Sequence, residues 1–155
     1  MRFLDLNAEI LPGHSAAGFE LGMHVAEIDA IVSNASVLHR LPTNQELREN
    51  AGVLVVRSPP DVVEAVFFGD DQVRLAFNAR GRLYCIFLFE GYRGFYRQTI
   101  QIGTLLRHAN EEHALLFDDG DEMSYIANES GDIVPGIAFC GRSCALEVDP
   151  EQPIS

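Results

Sequence analysis

Residues 16–35 read AAGFELGMHVAEIDAIVSNA, and the apolar positions change period partway along. Phe19 and Leu21 alternate with their neighbours as in a short strand, and Gly22 breaks the alternation. From Met23 onward Val25, Ile28, Ile31 and Val32 recur at helical spacing, with Glu27 and Asp29 on other faces. A strand, a glycine and an amphipathic helix are expected here. The same order returns in TIQIGTLLRHANEE, residues 99–112: Ile100 and Ile102 alternate, Gly103 interrupts, and Leu105, Leu106 and Ala109 begin a helix. Superposing Gly22 on Gly103 aligns Phe19 with Ile100 and Leu21 with Ile102. That match predicts two related strand–turn–helix units, near residues 16–90 and 97–149, each followed by strands.

The segments after each helix are dense in β-branched and aromatic residues. GVLVV (52–56), VVEAVFF (62–68), QVRLAFN (72–78) and RLYCIFLFE (82–90) follow the first; ALLFDD (114–119), MSYIAN (123–128), GIAFC (136–140) and CALEVD (144–149) follow the second. Ala79-Arg80-Gly81, Asp-Asp-Gly-Asp and Asn-Glu-Ser-Gly-Asp supply the turns, and Ser58-Pro59-Pro60 is a further break. The tail PEQPIS is expected to fray. The fold class expected is α+β: two helices packed on a mainly antiparallel sheet of about seven or eight strands, in a single domain spanning 1–155.

Length and composition fit that picture. A chain of 155 residues can bury one core, and nearly half of its residues are hydrophobic. Charge adds more. Twenty-three acids face eleven bases, a formal charge of −12, and every base is Arg. Such a field repels phosphate backbones and anionic lipid surfaces, so no nucleic acid and no membrane surface is expected as a partner. A basic partner would be steered inward. In MRFLDLNAEILPG, Asp5 and Glu9 interrupt what would be a signal peptide's apolar stretch, and no apolar run approaches the ~20 residues of a membrane helix. A cytoplasmic protein is expected, with Cys85, Cys140 and Cys144 as reduced thiols.

The candidate chemistry centres on EEHALLFDDGDE, residues 111–122. From His108 to Cys140 the chain holds eight carboxylates and no Lys or Arg. A calcium loop would need its glycine at the sixth position and a Glu at the twelfth; Asp118-Asp119-Gly120-Asp121-Glu122 places the glycine too early. An acid–base carboxylate pair, a solvated hairpin turn and a partner-binding face all remain as readings of the run. A second candidate is EGYRGFYRQ, where Tyr92, Phe95 and Tyr96 alternate with Arg93 and Arg97. Tyr and Arg are favoured at binding hot spots, but aromatics more often fill a core. His108 and His113 are five apart, which does not suit a shared metal on one helical face, and Cys140-x-x-x-Cys144 lacks a second pair. The chain has no HExxH, GxSxG, Walker loop or GxGxxG. No catalytic constellation, metal or cofactor is expected.

AAGFELGMHVAEIDAIV resembles the apolar-x-Leu-Gly-Met-then-helix opening of domains like the small lipoproteins of outer-membrane assembly. It is also similar to the start of small cytoplasmic immunity proteins that accompany bacterial polymorphic and contact-delivered toxins. In those the pattern recurs, as GYRGFYRQTIQIGTLL does here, and an Asp-rich hairpin and a Pro-Gly-Ile-x-Phe strand follow, like ALLFDDGDEMSYIA and VPGIAFC. The likeness covers about two-thirds of the chain, and the absence of a lipidated Cys favours the immunity family. It implies a role, not residues: tight binding and occlusion of one cognate toxin domain with a basic cleft. Within that role Glu111, Glu112, Asp118, Asp119, Asp121 and Glu122 would supply the field, and Tyr92, Phe95 and Tyr96 would be anchors. The alternative is a small-ligand or enzymatic domain whose pocket gathers Arg93, Arg97 or His113 with several acids.

Overall fold

A computed structural model describes residues 2–155. Near its start, β1 (Ser15–Ala16) and β2 (Phe19–Glu20) form a small antiparallel hairpin. The chain then turns at Gly22, with φ +85°, into a 3-10 turn at Val25–Ile28 and helix α1 at Asp29–Ser33. An added Cβ at Gly22 would meet nothing, so glycine is favoured there by its backbone angle alone. His24 caps the turn: its Nδ1 accepts from Ala26 N–H while Glu27 accepts from His24 N–H.

The main sheet runs β3 (Ser36–Leu38), β4 (Val53–Ser58), β5 (Val62–Phe68), β6 (Val73–Phe77) and β7 (Leu83–Leu88), in that spatial order. Only β3–β4 is parallel. Between those two strands lies helix α2 (Asn44–Glu49). On one sheet face Val55, Val66, Phe68, Val73, Leu75 and Leu83 pack against Phe19, Ile28 and Val32. On the other, Leu54, Val56, Ala65 and Phe67 are covered by Leu38 and Leu47. Strand alternation divides the residues between these two layers.

A second cluster belongs to the C-terminal half. Helix α3 (Leu106–Glu112) buries Leu106 and Ala109 against Tyr96, Ile100, Ile126, Phe139 and Ile154. Three antiparallel strands accompany it, in the order β10 (Phe139–Cys140), β9 (Met123–Ile126), β8 (Leu115–Asp118). Ile10 and Ile102 pack against both clusters.

The α+β class and the mainly antiparallel pairing agree with the sequence pattern, but the arrangement differs in three respects. Among the described residues the strands form sheets of five, three and two rather than one sheet, and there are three α-helices rather than two. Residues 144–149 are turns, not a strand. The tail is docked instead of frayed. Gln152 is fully buried, and its side chain accepts from Arg142 N–H at 2.9 Å and donates to the carbonyls of Cys144 and Asp149 at 3.0 Å each. Those bonds wrap 144–149 around one amide and hold it out of any sheet.

Candidate functional site

The acids of residues 111–122 come from two elements. Glu111 and Glu112 close α3, and Asp118 to Glu122 make the turn between β8 and β9. Asp118 accepts from Gly120 N–H at 2.7 Å and Asp121 from Met123 N–H at 3.0 Å, so both carboxylates shape the turn they stand on. The second oxygen of Asp121 accepts from the Tyr125 hydroxyl. That bond, reinforced by the charges of Asp121 and Asp118, pushes the Tyr125 phenol up to about 12. Glu112 accepts from the Thr99 hydroxyl at 2.6 Å.

All six acids are exposed, as are Glu129 and Asp132 further along. Among the described residues, none of these eight carboxylates meets an Arg. The contrast with the rest of the surface is sharp: Arg2, Arg40, Arg57, Arg74, Arg107 and Arg142 each bridge to an acid outside the run. His113 Nε2 lies 4.0 Å from Glu112, is buried without a hydrogen-bond partner, and its ring tilts against Tyr96.

The aromatic candidates separate. Tyr92 and Tyr96 are each 3 % exposed, whereas Phe95 is 38 % exposed. The Tyr92 hydroxyl donates to the Ala8 carbonyl and accepts from Ala17 N–H at 3.2 Å, tying the N-terminal segment to the first cluster. Tyr96 packs on Phe139 and His113 in the second. Both rings are therefore core. Phe95 alone of the three, with Arg93 and Arg97 beside it, faces out.

The structure also holds a feature that sequence reasoning missed. An apolar cleft of about 470 Å³ is lined by β7, by the segment 133–140 and by residues 10–13. Among the described residues no Asp, Glu, Arg or His lines it. Tyr84, 62 % exposed, and Leu11 and Ile133 place large apolar groups on its accessible margin. The acidic turn touches this cleft: Tyr125, bonded to Asp121, lines it, as does Cys140. Burial, with the Asp121 charge second, pushes the Cys140 thiol up; burial alone does so for Cys85. A polar recess lies between residues 99–105 and α3, lined by His108, Glu111 and Glu112. Arg93, Arg97 and His113 line neither the cleft nor the recess.

Among the described residues no three His, Cys, Asp or Glu side chains are grouped to hold a metal ion, and no helix is long and apolar enough to cross a membrane. Comparison with protein-family models, curated proteins and solved structures gives no match.

Proposed function

We propose that the chain acts by stoichiometric protein binding, as an immunity protein that neutralises a cognate bacterial toxin carrying a basic cleft. The observation that carries this reading is the unpaired acidic face. Eight exposed carboxylates from the end of α3 to the approach of β10 have no Arg partner among the described residues, while six of the eleven Arg side chains are engaged with acids elsewhere. Such a face accelerates encounter with a cationic partner, and apolar contacts beside it set the dissociation rate. Glu111, Glu112, Asp118, Asp119, Asp121 and Glu122 supply the field in this reading, with Phe95 and the cleft margin as the apolar contacts. Tyr92 and Tyr96 hold the scaffold. The test is co-expression with the neighbouring reading frames: a co-purifying protein whose toxicity this chain suppresses at one-to-one stoichiometry supports the reading. An adjacent set of metabolic genes and no such partner refute it.

We also infer that the two halves are related units. Gly22 N–H donates to Leu83, Leu83 N–H to Met23, and Val25 N–H to Gly81. The same order joins Gly103 to Ile154, Ile154 to Thr104, and Leu106 to Gln152. Asn78 and Asn128 each accept, through the side-chain oxygen, from the N–H groups two and four residues on.

A further inference from the structure

We propose that the open edge of β7 accepts an added β-strand from the basic partner. The segment would be extended, with apolar side chains at alternate positions and Lys or Arg among them. This rests on the reading of the chain as a binder of a cationic protein, and it specifies where and how that partner docks.

The register of β7 exposes its edge. Phe89 N–H donates to Gln72, and the pairs Arg74–Phe87 and Ala76–Cys85 continue that antiparallel phase at two-residue steps. The intervening pairs, Val73–Leu88 and Leu75–Ile86, are then non-hydrogen-bonded, so the N–H and C=O groups of Ile86 and Leu88 point away from β6. Among the described residues no backbone group outside the sheet meets them. On the same side of the strand, Leu83 at its start exchanges backbone hydrogen bonds with Gly22 and Met23. The turn at Gly22–Met23 meets this side of β7 at Leu83, short of Ile86.

The cleft lies along this edge. Tyr84 to Phe89 line it as six consecutive residues. Successive side chains of a strand point to opposite faces, so a cavity on one face would be lined by every second residue. Six in a row means that the cavity meets the strand side-on. Its far wall, residues 133–140, is likewise lined without a break and supplies surfaces for the side chains of an inserted strand.

The sequence of β7 lacks the usual protection. From Leu83 to Phe89 there is no charge, Pro or Gly, the devices by which free edges avoid pairing with other chains. Charge chooses between the occupants. A second copy would bring another −12 and a second acidic turn to the same place, whereas a cationic segment would meet Asp121 beside the wall residues Tyr125 and Cys140.

The probe is a synthetic peptide of about eight residues with alternating Val and Lys, long enough to span the strand at ~3.3 Å per residue. It is compared with the same peptide N-methylated at alternate nitrogens and with a Val–Glu analogue, all against the full chain. The Val–Lys peptide is expected to bind at low salt and to slow amide exchange at Ile86 and Leu88. N-methylation on the face turned to β7 should weaken binding at least about tenfold, since it removes the ladder donors; the Val–Glu analogue should not bind. Equal binding of the N-methylated peptide, protection elsewhere, absence of binding, or self-association through β7 in sedimentation would each overturn the proposal. A toxin partner that binds without protecting Ile86 and Leu88 would overturn strand addition and leave the inhibitor reading standing. Strand addition by the peptide with no toxin partner would do the reverse.

Discussion

Asp121 and Tyr125 lie four residues apart on the β8–β9 hairpin, and the phenol donates to the carboxylate. Because that bond requires the protonated phenol, it holds the Tyr125 pKa up at about 12. The sign follows from linkage: a pKa raised on folding stabilises the native state below the unfolded value, about 10, and that stabilisation is lost as pH rises through the folded value. In Asp121→Asn, Tyr125 should ionise closer to pH 10, seen as tyrosinate absorbance growing in at lower pH than in the unaltered chain. An unmoved titration would remove Asp121 as the cause. Gln152 is the other residue whose role is specific. Replacing it with Ala leaves Arg142 N–H and the Cys144 carbonyl without their partner, while the Asp149 carbonyl keeps the backbone N–H of residue 152. A loss of about 2–4 kcal/mol in urea unfolding is expected, from about 1–3 kcal/mol for each buried group left unsatisfied and partial rehydration of the tail. Asp121 stood out in the sequence only as one acid of the run, and Gln152 did not stand out at all. A buried Gln amid Pro, Glu and Asp looks like any polar tail, because its side-chain bonds reach back three to ten positions. Tyr92 and Tyr96 misled for the opposite reason: their alternation with Arg fits an exposed strip as well as two buried rings on an extended connection.

At the scale of elements, legibility followed local pattern. The four strands β4 to β7 fall inside the segments read from β-branched and aromatic density, apart from Arg57 and Ser58 added to β4. Ala145, Leu146 and Val148 suggested a strand that Gln152 holds in turns. Helix α2 was passed over, since its six residues offer one partly buried apolar side chain, Leu47, and no helical apolar stripe. Its signal was at the end. Thr43 accepts from Glu46 N–H at 3.2 Å and Glu46 accepts from Thr43 N–H at 2.8 Å, a reciprocal cap readable as T-x-x-E. Arg40 adds a forked bond to the same carboxylate, at 2.7 and 2.8 Å. Arg40 first, then Thr43 N–H, lowers the Glu46 pKa to about 2. A lowered carboxylate pKa stabilises the fold above the unfolded value and ceases to do so as pH falls through the folded one. Amide protection in α2, relative to the intrinsic exchange rate at each pH, should therefore fall between about pH 4.5 and pH 2, ahead of the central sheet. Thr43→Ala should cost about 1 kcal/mol and speed exchange in α2 already at neutral pH. Exchange that rose uniformly across sheet and helix would deny the cap a local role.

Over the whole molecule, the acidic face was legible because its eight carboxylates are near one another in sequence, whereas the cleft was not, because its walls come from residues near 10, 85 and 135. The face and the cleft meet at Asp121, and that junction makes the electrostatic proposal separable from bulk charge. Asp118→Lys with Asp121→Lys changes the formal charge by four, from −12 to −8. Asp29→Lys with Glu64→Lys makes the same change on α1 and β5, at two exposed positions outside the acidic run. If only net charge mattered, both pairs would slow association with a basic partner equally. If the face acts, the first pair should lower the association rate about tenfold at low salt and the second much less, with dissociation little altered by either. The difference should shrink as the ionic strength rises past about 0.15 M, where the screening length is about 8 Å, shorter than the approach over which steering operates. Stopped-flow association across a salt series measures this directly. Equal rates for the two pairs at every salt concentration would place the partner's landing surface away from the β8–β9 turn.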